Sequence, residues 1–254
     1  MLKQSLTSSE NITVKYHDIF DYKLTKAEAI KWQYKNFKVK VSGIKNKKRL
    51  LNEKYSKEKL ILARKAAKVL AMIPTVKFVG ITGALAMNNA GKDSDIDLMV
   101  ITEANTLWLT RMSAYIFLKL SKYSIRKPKD REQANMLCIN LWLDEQDLVW
   151  SKNDRNIYTA HEIAQVVPLV NKDETFEKFL HENMWVLNYW PKAVVIRKLK
   201  YKKILHKDSF FEELLFKLQY LYMKRKITRE AVTLKRAVFH PNDWGKVVLN
   251  KLSS

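Results

Sequence analysis

A chain of 254 residues with 47 Lys and Arg against 26 Asp and Glu carries a formal net charge of +21. Its 47% apolar residues can fill a sizeable core, which excludes global disorder, while five glycines and one cysteine exclude collagen-like and disulfide-scaffold chains. The N-terminal run has no apolar signal stretch, and no segment reaches the ~18 uninterrupted apolar residues of a spanning helix, so a soluble cytoplasmic protein without a membrane role is expected.

The charge is unevenly spread. Residues 1–74 carry +12 and residues 192–236 carry +10, while residues 75–191 carry −2. Two basic arms flanking a nearly neutral middle attract polyanions, and nucleic acid is the leading partner on this ground. The lysine runs Lys198, Lys200, Lys202 and Lys203, and Lys224–Lys226, are candidate contacts.

In chain order, Thr25 and Glu28 form a T-x-x-E capping box that opens a helix toward Tyr34. Phe37–Val41 alternates as a small strand would, so residues 1–45 suit a basic N-terminal element, reduced winged-helix-like. Residues 46–73 favour helix, with Leu51, Tyr55, Leu62, Ala66, Val69 and Ile73 near helical spacing, and Pro74 ends it. Two β-rich runs follow, 76–82 and 95–102. Asn105 can cap the next helix, 106–125, and 135–145 is another strand. The remainder reads as mostly helical: Thr159 with Glu162 and Ser209 with Glu212 form further capping boxes, and a helix between them stops at Pro191. The expected fold is α+β, a small mixed sheet backed by helices. Its core spans residues 46–150, with a basic N-terminal element before it and a helical region over 151–254.

Gly80, Gly83 and Gly91 fall close together in a glycine-poor chain, and Ser94-Asp95-Ile96-Asp97-Leu98 follows at once. On a strand, residues two apart share a face, so Asp95 and Asp97 project together while Ile96, Leu98 and Val100 enter the core. Paired carboxylates on one face repel unless a cation lies between them, and oxygen ligands suit Mg²⁺ or Mn²⁺. The lone Cys138, between apolar neighbours, reads as buried and unreactive, and the scattered histidines lack metal-site spacing.

The string Val79-Gly-Ile-Thr-Gly-Ala-Leu-Ala-Met87 followed by Ser-Asp-Ile-Asp-Leu resembles the DNA polymerase beta-like nucleotidyltransferase superfamily, whose pattern is strand, glycine turn, helix, and Asp-x-Asp on the next strand. The runs Asp-Ile-Phe-Asp-Tyr at 18–22 and Tyr-Thr-Ala-His-Glu-Ile at 158–163 look like those of small bacterial nucleotidyltransferase-domain proteins. The resemblance implies that Asp95 and Asp97 hold two divalent ions, and that Thr82, Gly83 and Ala84, with Lys92 and Ser94, meet the triphosphate of an NTP. Two departures stand out. Ala84 replaces a residue that is usually Ser or Gly. The third carboxylate expected on a neighbouring strand has no obvious bearer: Asn140 occupies the strand interior, Asp144 has the right chemistry farther along, and Asp147 is a further option, with Asp144 favoured.

The resulting expectation is a metal-dependent nucleotidyltransferase that moves a nucleoside monophosphate from an NTP to a hydroxyl acceptor, RNA favoured, with release of pyrophosphate. Its catalytic set is Asp95, Asp97 and Asp144, with Asn140 a further metal ligand. The alternatives are a catalytically silent nucleic-acid-binding module on the same fold and an antitoxin-like regulatory partner.

Overall fold

The computed structural model describes residues 12–35, 37–127, 130, 132–201, 209–225, 227, 231–239 and 243–254. Lys202, Lys203 and Lys226 of the basic runs, and His206 and His240, lie outside them. The elements run α1 (Ile12–Asp18), α2 (Lys26–Lys31), α3 (Lys47–Ala71), β1 (Val76–Ile81), α4 (Gly83–Ala86), β2 (Ile96–Thr102), α5 (Leu107–Leu120), β3 (Leu137–Asp144), α6 (Ile157–Ala164), β4 (Val167–Asn171), α7 (Thr175–Glu182), α8 (Phe210–Met223), β5 (Ala231–Val232), β6 (Arg236–Val238) and α9 (Trp244–Ser253). Among the described residues, no helix is long and apolar enough to cross a membrane.

A six-stranded mixed sheet, in the order β4-β1-β2-β3-β6-β5, lies between two helical layers. Alternation along the central strands builds both layers. Ile96, Leu98 and Val100 point into a core with α3, α5 and α8, centred on Leu70, Trp108 and Trp142. Met99 and Ile101 point the other way, into a core that α1, α2, α6, α7 and α9 complete through Tyr16, Trp32, Ile163, Phe179 and Val248. Strand β2 pairs antiparallel with β1 and parallel with β3.

Residues 12–35 and the C-terminal α9 are packed into this body. The Thr25–Glu28 capping box forms as expected, and its Glu28 also reaches the buried Arg49 at 2.6 Å. Arg49 emerges from α3, so residues 12–35 are fastened to the sheet-packing helix. Phe37–Val41 forms no strand but packs Val39 and Val41 against the apolar core, and the winged-helix expectation loses its ribbon. The mostly helical region 151–254 also contributes strands to the sheet. Strand β4 pairs with β1, and β6 pairs with β3. These are short strands of two to five residues, and one contains Pro168, so periodicity could not mark them.

Three local differences bear on the site. Helix α3 buries Ser56, Lys59, Ala63, Ala66, Ala67 and Leu70, while Leu51 is exposed; small residues let the helix approach the sheet closely. Asn105 takes a left-handed backbone (φ 58°), and Thr106 occupies the N-cap of α5 without a side-chain cap bond. Helix α6 is capped by Asn156, with Thr159 as its reciprocal partner, so Glu162 is not the capping residue the T-x-x-E pattern suggested.

Candidate active site

Asp95 immediately precedes β2, and Asp97 is its second residue. Beside them the neighbouring strand supplies Cys138, directly opposite Asp97 in the parallel register. Ligand-capable atoms of Asp95, Asp97 and Cys138 lie within 4.8 Å of one another. The pairing then slips: Leu98 faces Ile139, but Met99 faces Leu141, which leaves Asn140 as the extra residue of a bulge. Asn140 donates its side-chain amide to Asp97 Oδ1 at 2.7 Å. That bond fixes which end of the amide points at the carboxylate, since its oxygen would be repelled there. The buried Asn140 Oδ1 is left without a partner.

The bulge decides the fate of the favoured third carboxylate. It inverts the alternation of β3, so that Leu141 and Leu143 join the core on the Asp97 side and Trp142 the opposite core. Asp144 pairs with Thr102 at the far end of β3, on the face opposite Asp97. Its carboxylate accepts backbone N–H bonds from Asn105 at 2.6 Å and Gln146 at 2.9 Å. Asp144 therefore shapes a turn and is corrected as a ligand. Asp147 is held by Arg236 at 2.9 Å, also remote from the acidic pair.

Asp97 presses against the glycine turn. Gly83 has φ +61°, and a Cβ built there would meet Asp97 Oδ2 at 2.5 Å. Only glycine both tolerates that backbone and leaves room for the carboxylate. Thr82, Gly83 and Ala84 line a cavity of about 1290 Å³ that also contains Asp95, Asp97, Cys138 and Asn140. Lys92 and Ser94 are not among its walls. Lys92 is exposed, and Ser94 Oγ accepts from Gly91 N–H at 3.0 Å, closing the spacer turn. The buried Lys59 pins that turn by donating to the carbonyls of Lys92 and Ser94 and to Asn135. Ser94 and the main chain of Lys92 thus belong to that turn, and neither side chain lines the cavity.

The charges around the acidic pair are unevenly balanced. Burial, and then the charge of Asp95, push the Asp97 carboxyl up to about 7, against the thiol bond from Cys138 and the charge of Arg126. Arg126 reaches Asp95 Oδ2 at 2.6 Å and lies 3.9 Å from Cys138 Sγ. Across the cavity, burial and the charge of Asp97 push Glu162 up to about 8, while Gln165 donates to it at 2.6 Å. Arg111, Lys127 and Lys48 add positive charge, and Tyr115, Tyr158, Tyr222 and Trp244 add aromatic surface.

The sequence reading did not single out Arg126, Arg111 or Glu162, and it set Cys138 aside as inert. Cys138 was within reach, because its parity along β3 already matched that of Asn140. Glu162 was hidden by a capping pattern that Asn156 satisfies instead. His161, from the Tyr-Thr-Ala-His-Glu run, stacks on Trp32 at 4.0 Å between ring centres and meets His17 Nε2 at 3.3 Å, so it closes the cavity wall as a packed residue. The chain matches no protein-family model, no curated protein and no solved structure.

Proposed function

We propose that this chain is a divalent-cation-dependent nucleotidyltransferase that transfers a nucleoside monophosphate from an NTP to a hydroxyl acceptor, with pyrophosphate as the other product. The observation that carries the reading is the placement of Asp95 and Asp97 on one face of β2, against the Gly83 turn and inside a large cavity with a cationic rim. The residues suit a cation on two further counts. The oxygen of Asn140 is buried beside Asp97 with no donor, and Asp97 is held in a setting that penalises its charge unless a positive partner arrives.

A divalent ion bound there would neutralise charge on a triphosphate and on the attacking oxygen. Asp95 and Asp97 would hold it, with Asn140 orienting Asp97. Arg126, Arg111 and Lys127 would hold phosphate oxygens by charge-assisted hydrogen bonds. Glu162, a raised carboxyl on the opposite wall, has the chemistry to receive the acceptor's proton. The aromatic side chains offer stacking surface for a base. The basic arms favour RNA as the acceptor.

Incubation with labelled NTPs, Mg²⁺ or Mn²⁺ and RNA tests this proposal. Transfer abolished by Asp95→Ala and by Asp97→Ala supports it, and equal transfer in those variants rejects the assigned site. One observation favours a second reading, a catalytically silent binding module: Arg126 already neutralises Asp95, and no third carboxylate stands with the pair among the described residues. Retained RNA binding with no thermal shift from any NTP and Mn²⁺ would select that module.

A further inference from the structure

We infer that the cation site includes a thiolate, that of Cys138, and so selects a borderline-soft divalent ion such as Zn²⁺ or Co²⁺ over Mg²⁺; the inference rests on the proposed reading of Asp95 and Asp97 as cation ligands. The parallel register puts Cys138 opposite Asp97, in the place on the adjacent strand where a third ligand for the pair would stand. Its sulfur and the two carboxylates converge within 4.8 Å, so a small movement of the side chains would bring all three to one ion.

A second feature lies beside the pair. Asn140, 7% exposed, gives its amide nitrogen to Asp97 and keeps a buried oxygen without a donor, a costly arrangement next to the carboxylate that would hold the ion. The donor set is then two carboxylates and one thiolate.

Hard Mg²⁺ binds oxygen in near-octahedral geometry and gains little from sulfur, whereas Zn²⁺ and Co²⁺ accept mixed oxygen and thiolate sets. The carboxylate that would have made the set all-oxygen, Asp144, is turned to the opposite face by the bulge. The nearest histidines do not compete as ligands. His17 Nδ1 bonds the Thr13 carbonyl, and the Nε2 atoms of His17 and His161 face each other. Coordination forms an Sγ–metal bond and sends the thiol proton to solvent.

The experiment is a titration of the chelator-treated full-length protein with Co²⁺ alone, read by near-ultraviolet absorption. The chain has one cysteine, so a thiolate-to-cobalt charge-transfer band has a single source. The expected result is a saturable band at one ion per chain. It should be absent in Cys138→Ser and Cys138→Ala, which bind Co²⁺ at least about tenfold more weakly, and a large excess of Mg²⁺ should not remove it. Binding of Co²⁺ or Mn²⁺ that depends on Asp95 and Asp97, without the band and unchanged in Cys138→Ser, overturns the thiolate and leaves the carboxylate site standing. No binding of any of these ions overturns both.

Discussion

Arg126 and Asp95 are joined at 2.6 Å, and Asp97, two residues along the same strand face, has no ion pair among the described residues. The asymmetry sets what an incoming cation must do. It satisfies Asp97 directly, but it competes with a guanidinium for Asp95.

Arg126 should therefore weaken the binding of a free ion while helping to hold a bound triphosphate. Arg126→Gln is expected to bind Mn²⁺ several-fold more tightly than the native protein in the absence of nucleotide, and to bind NTP with Mn²⁺ more weakly. Isothermal titration separates the two. Weaker Mn²⁺ binding in the variant would mean that Arg126 supports the ion site rather than competing for it.

The buried carboxyls make stability depend on pH in a definite direction. The Asp97 carboxyl is raised to about 7 and that of Glu162 to about 8, from ordinary values near 4. Groups raised on folding stabilise the protein fully below the unfolded value and lose that contribution as pH rises through the folded one. These two carboxyls should together pull the stability of the ion-free protein down as pH rises from about 4 to about 8. Asp97→Asn should flatten much of this slope and be more stable than the native protein at pH 8 by roughly 1–3 kcal/mol. Urea unfolding in the presence of chelator measures it. An unchanged slope would show that Asp97 is not the titrating group.

The paired histidines act in the opposite sense. Burial lowers His17 to about 4, against the Thr13 carbonyl bond and the charges of Glu28 and Asp18, with Arg49 adding to the fall. Burial, His17 and Lys31 lower His161. Groups depressed on folding stabilise above the unfolded value, ordinarily near 6.5, and that stability is lost as pH falls toward the folded one. Each histidine should cost about 1.4 kcal/mol per pH unit through this window. Urea unfolding should show His161→Gln, which keeps a donor for His17, gaining about 1.4 kcal/mol per pH unit relative to the native protein as pH falls from 6.5 to 4.5, with cation binding unaltered.

Glu212 joins α8 to α5. Its carboxylate accepts the backbone N–H groups of Trp108 and Leu109 in the first turn of α5, the place that Thr106 leaves uncapped. Only half of the capping box expected at Ser209 forms, because the glutamate side chain serves the other helix. Glu212→Ala should destabilise the protein by about 1–3 kcal/mol, with Glu212→Gln intermediate. Both are measured by equilibrium unfolding. A cost below about 0.5 kcal/mol for Glu212→Ala would show that the bond is dispensable.

The parts of the fold legible in the sequence are those in which one strong local signal repeats. The apolar runs of β1, β2 and β3, the capped α2 and the shared face of Asp95 and Asp97 belong to that class. What was not legible depends on contacts between distant segments. A single bulge at Asn140 reverses the parity of β3 beyond it, which removes Asp144 from the face that Cys138, before the bulge, shares with Asp97. Nothing in the run Asn-Met-Leu-Cys-Ile-Asn-Leu-Trp-Leu-Asp marks that slip, because apolar residues occupy both parities beyond it. Arg126 and Glu162 are brought in by tertiary packing from a loop and from α6, so residue spacing around the acidic pair carried no trace of them.

The most direct measurement is Mn²⁺ binding to the chelator-treated protein, followed by the loss of the free-ion electron paramagnetic resonance signal, with native protein, Asp95→Asn and Asp97→Asn compared at pH 8. The account predicts saturable binding by the native protein, loss in Asp97→Asn and marked weakening in Asp95→Asn, with all three proteins folded. Equal binding by the three, or none by the native protein, would contradict the claim that this acidic pair is a cation site.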